Sequence, residues 1–351
     1  MRLFPACLLI SATLASADEV RLNQIQVIGS HNSYHMAPPA ELLETVVKFS
    51  KDAKAWNYTH PPLAGQLDMG VRQFELDIFA DSKGGLFSKP SMLQLAKMAS
   101  AKDFTFDPEG KLAKPGFKVL HIPDIDCWSN APTLKGALEE MRTWSDKHPQ
   151  HLPVMILLEC KDQPQPPLPT KPEAFTRERL MDLEQEVLAA IPAARILRPD
   201  DIRGNEATLR DAVKKKGWPA LDSLRGKFLF ALDNTDAIRT RYLEGNPSLE
   251  GKLLFASAPE ESHPCAAWFK CNDPVREQET ILRLVKAGFL VRTRADTSKL
   301  DPAMCEKALS SGAQWISTDH FGATSPVREG FGGATVRANP VSGNGSTPIE
   351  P

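Results

Sequence analysis

The sequence predicts a single-domain α/β fold, a (β/α)8 TIM-like barrel with loop insertions, on three observations. Eight short apolar runs recur along the chain, helical stretches separate most of them, and charged or histidine residues gather just past the runs' C-terminal ends. A doubly wound open sheet is the competing architecture, but it needs no eight strands. At 351 residues the chain is long enough for one such barrel, since these commonly exceed ~200 residues.

Met1 to Ala17 reads as a secretory signal. Arg2 supplies a positive start, Ala6 to Leu14 is mostly apolar, and Ala15-Ser16-Ala17 fits small-x-small cleavage. The mature chain then begins near Asp18 and is secreted or periplasmic. Cleavage removes Cys7 and leaves five cysteines, of which Cys265 and Cys271 are expected to be able to pair in an oxidising compartment. No later run reaches the ~18 apolar residues of a membrane span.

The first strand, Ile25 to Ile28, ends abruptly in Gly29-Ser30-His31-Asn32-Ser33-Tyr34-His35. A helix is expected from Ala40 to Ala55, with Leu42, Leu43, Val46 and Val47 at helical spacing, and Pro61-Pro62 breaks it. Leu63 to Gly70 reads as a further helical stretch leading into the second strand, Val71 to Phe79. There Phe74, Leu76 and Ile78 share one face, so Glu75 and Asp77 share the other. Asp81 to Gly116, with Gly84-Gly85, Pro90 and a helical patch from Ser91 to Ala99, is a loop-rich insertion.

Phe117 to His121 is the expected third strand and Leu134 to His148 the next helix. Leu152 to Glu159, nearly all apolar, fits a strand buried on both faces of a parallel sheet. Five prolines in Gln163 to Pro172 argue for an extended surface crossing. Helices follow over Glu173 to Ala190 and Glu206 to Lys215. The remaining strands are Phe228 to Leu232, Leu253 to Ala256, Phe289 to Val291 and Trp315 to Ser317, with helices at Pro274 to Ala287 and Pro302 to Ser311. The barrel is expected to span 18–330, and the Gly-, Ser- and Asn-rich 331–351 to be a disordered tail.

The 42 basic and 44 acidic side chains nearly cancel, which excludes nucleic acid as a main partner. Asn32, Glu75, Asp77 and Glu159 offer three carboxylates and one amide oxygen from three strand ends. These hard donors favour Ca2+ or Mg2+ over zinc or copper, and three anionic ligands on a rigid rim favour Ca2+ over Mg2+. Two like charges on one inward face need a compensating cation, and Arg72, Arg292, Arg294 or Lys161 would serve as well as a metal. His31 and His121, at the ends of strands 1 and 3, flank this cluster with ring chemistry suited to proton transfer. Lys161, Arg292 and Arg294 are placed either to hold a phosphate or to balance the carboxylates. His35 and His320 are expected to be structural.

These residues also carry a resemblance. Gly29 to His35, Gln66 to Asp77, His121-Ile122-Pro123, Leu158-Glu159-Cys160-Lys161-Asp162, Asn272-Asp273-Pro274, Val291 to Asp296 and Ser311 to Asp319 resemble, in order, the secreted Ca2+-dependent phosphatidylinositol-specific phospholipases C. The resemblance implies a TIM-like barrel with Ca2+ on Asn32, Glu75, Asp77 and Glu159, and His31 and His121 as the catalytic pair. It implies attack of the inositol 2-hydroxyl on phosphorus, release of diacylglycerol, and a phospholipid substrate met at a membrane surface by a monomer. The insertion and the proline segment flank the expected mouth, so headgroup preference is left open. Trp56 and Tyr58 are the best placed aromatics for a bilayer. A glycerophosphodiester phosphodiesterase-type barrel is the rival, but that group follows its first histidine with Arg-Gly where Asn32-Ser33 stands here. A non-catalytic headgroup-binding module leaves His31 and His121 without a role, and a glycosidase on Glu75 and Glu159 leaves Asn32 and His121 without one.

Overall fold

The computed structural model describes residues 19–100 and 103–347. The expected signal segment, 1–17, lies outside them. Among the described residues there are ten strands: β1 (Ile25–Ser30), β2 (Gln73–Phe79), β3 (Lys118–Val119), β4 (Val154–Cys160), β5 (Phe228–Leu232), β6 (Phe255–Ala256), β7 (Trp268–Lys270), β8 (Leu290–Arg294), β9 (Trp315–Thr318) and β10 (Val336–Ala338). Eight of them run parallel in the order β6-β5-β4-β2-β1-β9-β8-β7. A parallel bridge between Ser257 and Trp268 joins the two ends of this sheet into a nearly closed barrel.

Parallel neighbours need a crossover, and helices supply most of them. Leu134–Lys147, Arg177–Ala190 and Pro302–Ser310 begin where Thr133, Thr176 and Asp301 accept the amide protons of Gly136, Arg179 and Met304. Gln278–Lys286 buries Ile281, Leu284 and Val285, three positions on one helical stripe, and turns its charges outward. At β1, Gly29 has no room for a side chain, because an added Cβ would lie 2.0 Å from Gln73 Oε1 in the barrel interior.

The barrel has eight strands as expected, but one member differs. Phe117 to His121 does not join it: β3 is short and pairs antiparallel with β2 outside the ring. Its place is taken by β7, a three-residue strand that follows Cys265-Ala266-Ala267 and is too short for any alternation to show. The apolar run at Phe117 has a different job. Leu120 joins Leu42, Leu43, Val46, Phe79, Phe87 and Met92 in a small separate core beneath the helices Ala40–Phe49 and Ser91–Ser100. The loops after β1 and β2 thus form a cap with its own packing.

Two further expectations are corrected. Cys265 and Cys271 are both free and buried, so no disulfide joins them. The segment from 331 is ordered through its described part: β10 pairs antiparallel with β1, with Ile25 opposite Ala338. Few apolar residues are needed there, because hydrogen bonds anchor the chain instead. Asn339 is buried, donates to Gly312 O at 2.6 Å, and accepts from the amides of Val341 and Ser342 at 2.9 and 3.1 Å. Asn339→Ala is expected to lose about 1–3 kcal/mol, because it orphans buried backbone groups. A urea midpoint unchanged from the parent would return this segment to the status of a loose tail.

Candidate active site

The strand ends bring most of the expected residues together. Asp77 and Glu159 are directly opposite in the β2–β4 register, and Glu75 is two residues before Asp77 on the same inward face. Ligand oxygens of all three lie within 4.8 Å of one another. The turn after β1 is pinned beside them: Ser33 N donates to Glu75 O at 3.0 Å, and Glu75 N donates to Ser33 Oγ at 2.9 Å. Asn32 occupies the left-handed region (φ 44°) in that turn and is buried. Its Nδ2 donates to the Tyr58 hydroxyl at 3.3 Å, which leaves Oδ1 as the free donor atom.

The cations in the mouth are committed to carboxylates. Lys161 Nζ lies 3.3 Å from Asp77 and 3.0 Å from Glu159. Arg292, almost fully buried, bonds Glu75 Oε2, Asn272 Oδ1 and, at 3.0 Å, Ser317 Oγ. Lys270 pairs with the buried Asp233 at 2.6 Å. Four carboxylates therefore face three cations, and the shortfall falls on Asp77. No well-formed hydrogen bond reaches either of its buried oxygens, and the Lys161 ammonium at 3.3 Å is shared with Glu159. Burial disfavours its charge most, Lys161 offsets only part of that, and repulsion from Glu159 and Glu75 leaves the carboxyl well above its usual range. Glu75 shows the opposite balance. Burial raises it, but Arg292 first, then His31 and Arg294, hold it below the usual carboxylate range. Orphaned carboxylate oxygens, a spare amide oxygen and residual negative charge are what a hard divalent cation fits.

His31 stands next to this cluster, with Nε2 3.8 Å from Glu75 Oε1. Its Nδ1 lies 2.9 Å from Asp319 Oδ1, and Asp319 is steadied by its own amide donating to Asp296 at 2.9 Å. Burial works against the charge of Asp319, yet the His31 bond and the His31, Arg294 and His60 charges keep it low. Arg294 comes within 3.4 Å of His31 Nδ1 and 3.8 Å of Asp319, so it alone of the three expected phosphate cations is not tied to the acidic cluster. A cleft of about 660 Å³ lined by Tyr58, His60, Asp319 and His320 opens beside this pair.

His121 reaches the same rim from the cap: Leu120 N donates to Asp77 O at 3.3 Å, and His121 Nδ1 lies 2.6 Å from Asp126 Oδ2. The buried His35 bonds the same Asp126. His320 donates its amide to Thr318 Oγ1 at 2.9 Å, and its ring Nε2 is buried without a partner. Trp56 and Tyr58 are half-exposed and each packs on a histidine of the cap. Trp56 packs edge-on to His121 at 6.2 Å, and Tyr58 stacks on His35 at 4.1 Å. Asp319, Asp126, Asp233 and Lys270 are site residues that the sequence did not single out. Asp319 carried the same sign as the others, a carboxylate just past a strand, whereas nothing in the spacing shows that Asp126 folds back under His121.

Comparison with known proteins bears on the family and the fold. The family model for Ca2+-dependent phosphoinositide phospholipase C matches residues 20–340. The fold resembles the calcium-dependent phosphoinositol-specific phospholipase C of a Gram-negative Pseudomonas species in its myoinositol complex, with TM-score 0.58 and 15% identity over 91% of this chain and 96% of that one. It also resembles the Ca2+-dependent phosphatidylinositol-specific phospholipase C of Streptomyces antibioticus, with TM-score 0.59 and 17% identity over 91% of this chain and 99% of that one. A search of curated protein sequences found no match. No helix among the described residues is long and apolar enough to cross a membrane. With a family match over nearly the whole described chain, this protein belongs to the Ca2+-dependent phosphoinositide phospholipases C and is a phosphoric diester hydrolase.

Proposed function

We propose that the protein cleaves phosphatidylinositol-type lipids at a membrane surface, releasing diacylglycerol and an inositol phosphate formed by attack of the inositol 2-hydroxyl. The observation that carries this is the place of His31, braced on Asp319 through Nδ1, with Nε2 3.8 Å from Glu75 of the carboxylate cluster. An imidazole held by one nitrogen and open at the other is set up to take a proton. Asn32, Glu75, Asp77 and Glu159 are the residues that would hold Ca2+. Bound there, the ion would lower the hydroxyl's pKa and offset charge on the phosphate.

The chain's own groups divide the remaining work. His31 Nε2 takes the proton of the 2-hydroxyl as its oxygen bonds to phosphorus. His121 gives a proton to the glycerol oxygen as its bond to phosphorus breaks, so each histidine ends in the state the other began in. Arg294, within reach of His31 but free of the acidic cluster, is assigned to the phosphate oxygens. Lys161 and Arg292 are assigned instead to holding the carboxylates in place, since both are already bonded to them.

Titrating Ca2+ into EDTA-treated protein in the presence of phosphatidylinositol vesicles tests this reading. Turnover is expected to appear only with the ion, with a cyclic inositol phosphate visible by phosphorus NMR and water-soluble glycerophosphoinositol left intact. Preference for glycerophosphoinositol would contradict it and favour the glycerophosphodiesterase chemistry.

A further inference from the structure

Beneath the rim lies a second array that neither the carboxylate cluster nor the His31–Asp319 pair uses. Asp126 is buried, and both its oxygens are engaged. Oδ2 lies 2.6 Å from His121 Nδ1, and Oδ1 lies 3.0 Å from Nε2 of His35, which also reaches Oδ2 at 3.1 Å. The turn that returns Asp126 to this position is closed by reciprocal backbone bonds between Ile122 and Asp126, of 2.9 and 3.0 Å, with Asp124 in the left-handed region.

His35 is itself buried, and its other nitrogen, Nδ1, faces the Tyr58 carbonyl at 3.0 Å. A carbonyl can only accept, so Nδ1 carries a proton. Stacking on Tyr58 at 4.1 Å keeps the ring from turning. Asp126 is thus gripped from behind by a ring that has no other orientation open to it. Burial alone would raise Asp126, but the bonds from His121 and His35 outweigh it and hold the carboxyl below its usual range. An ionised carboxylate can only accept, so the His121 nitrogen that meets it is N–H as well.

The same three side chains would suit a metal by type, but not by distance. Ligands at ~2.0 Å around a tetrahedral ion stand ~3.3 Å apart. The atoms here are separated by 2.6 to 3.1 Å, which is hydrogen-bond spacing.

We propose that Asp126 is the positioning residue of His121. It fixes the ring's rotation and its Nδ1–H tautomer, so that Nε2 alone is open to exchange a proton, and His35 clamps the carboxylate in turn. This rests on the reading above in which His121 donates to the leaving oxygen. The role resembles that of the carboxylate in a Ser-His-Asp triad, where loss of the acid leaves the histidine in the wrong tautomer.

Asp126→Asn is nearly isosteric and tests it. Its amide can donate through Nδ2 to Nε2 of a neutral His35 ring and accept through Oδ1 from His121 Nδ1, so the hydrogen bonds are kept while the negative charge that favours a protonated, proton-giving His121 ring is lost. Turnover is expected to fall by ~10²- to 10³-fold with KM changed by no more than about threefold. In a His121→Ala background the same substitution is expected to add no more than about a further twofold loss, because the residue acts through His121. Nitrogen-15 NMR of the unaltered protein should show a proton on His121 Nδ1 at neutral pH, joined by one on Nε2 in the ring that donates, and Asp126→Leu, which removes the acceptor, should abolish the preference for Nδ1. Equal losses in both backgrounds, or an Nε2–H tautomer in the unaltered protein, would overturn the proposal. If His121→Ala retains full activity, the catalytic reading fails instead, and the tautomer still judges the hydrogen-bond array by itself. Should Asp126→Asn not fold, the spectrum of the unaltered protein decides.

Discussion

His31→Ala is expected to lower turnover of phosphatidylinositol by ~10³-fold, the middle of the range for losing a positioned proton acceptor. The size follows from there being no substitute within reach. Asp319 faces the histidine and not the cluster, Arg294 cannot accept a proton, and His60 donates its Nε2 to the His31 carbonyl. His60 is also depressed to about 4, mainly by burial, and makes a poor base. Folding is expected to survive, because the His31 ring is at the rim and its removal leaves Asp319 still bonded to the Asp296 loop through its amide. Thermal unfolding and calcium binding of the variant serve as controls. A loss under tenfold with both controls intact would show that another group takes the hydroxyl proton.

Asp77→Asn is expected to have the second large effect, weakening Ca2+ binding by about 100-fold or more, since even outer contacts to a bound metal cost 10- to 100-fold when removed. The substitution removes the carboxylate of the cluster whose oxygens lack well-formed hydrogen bonds and have only a shared lysine ammonium nearby. It also predicts an opposite effect on the calcium-free protein. Because the folded Asp77 carboxyl sits above its usual range, the folded state binds more protons than the unfolded one once the pH passes the ordinary value. Its contribution therefore falls as pH rises through that window. Calcium-free parent protein should lose stability from mildly acidic to neutral pH relative to Asp77→Asn, and added Ca2+ should restore the parent alone. Denaturant midpoints at the two pH values, with and without the ion, measure this. A parent insensitive to calcium at neutral pH would count against the cluster as an ion site.

Much of the fold was legible because a parallel barrel writes itself as buried runs ending in polar residues. β4 and β5 are nearly all apolar, and β2 alternates so plainly that Glu75 and Asp77 could be put on one face. What was illegible had no periodic content. β7 is three residues long, and its membership rests on pairing with β8 and on one bridge to Ser257. Phe117 to Leu120 reads as a strand because it is apolar, but burial can serve a cap as well as a barrel. The carboxylate cluster was visible as hard donors at strand ends, and so were His31 and His121. Their partners were not. Asp319 is brought to His31 by the β1–β9 pairing, across nearly the whole chain, and Asp126 by a turn whose left-handed Asp124 nothing local announces. The cations were recognisable as a group, yet only the folded chain separates Arg292, buried on Glu75, from Arg294 beside His31.

Calorimetric titration of Ca2+ into EDTA-stripped protein, in parallel with Asp77→Asn, addresses the ion site without depending on any substrate. One site per chain, lost in the variant while His31→Ala keeps it, is the predicted result. An absence of binding, or a site that survives Asp77→Asn unchanged, would contradict a cation held by Asn32, Glu75, Asp77 and Glu159.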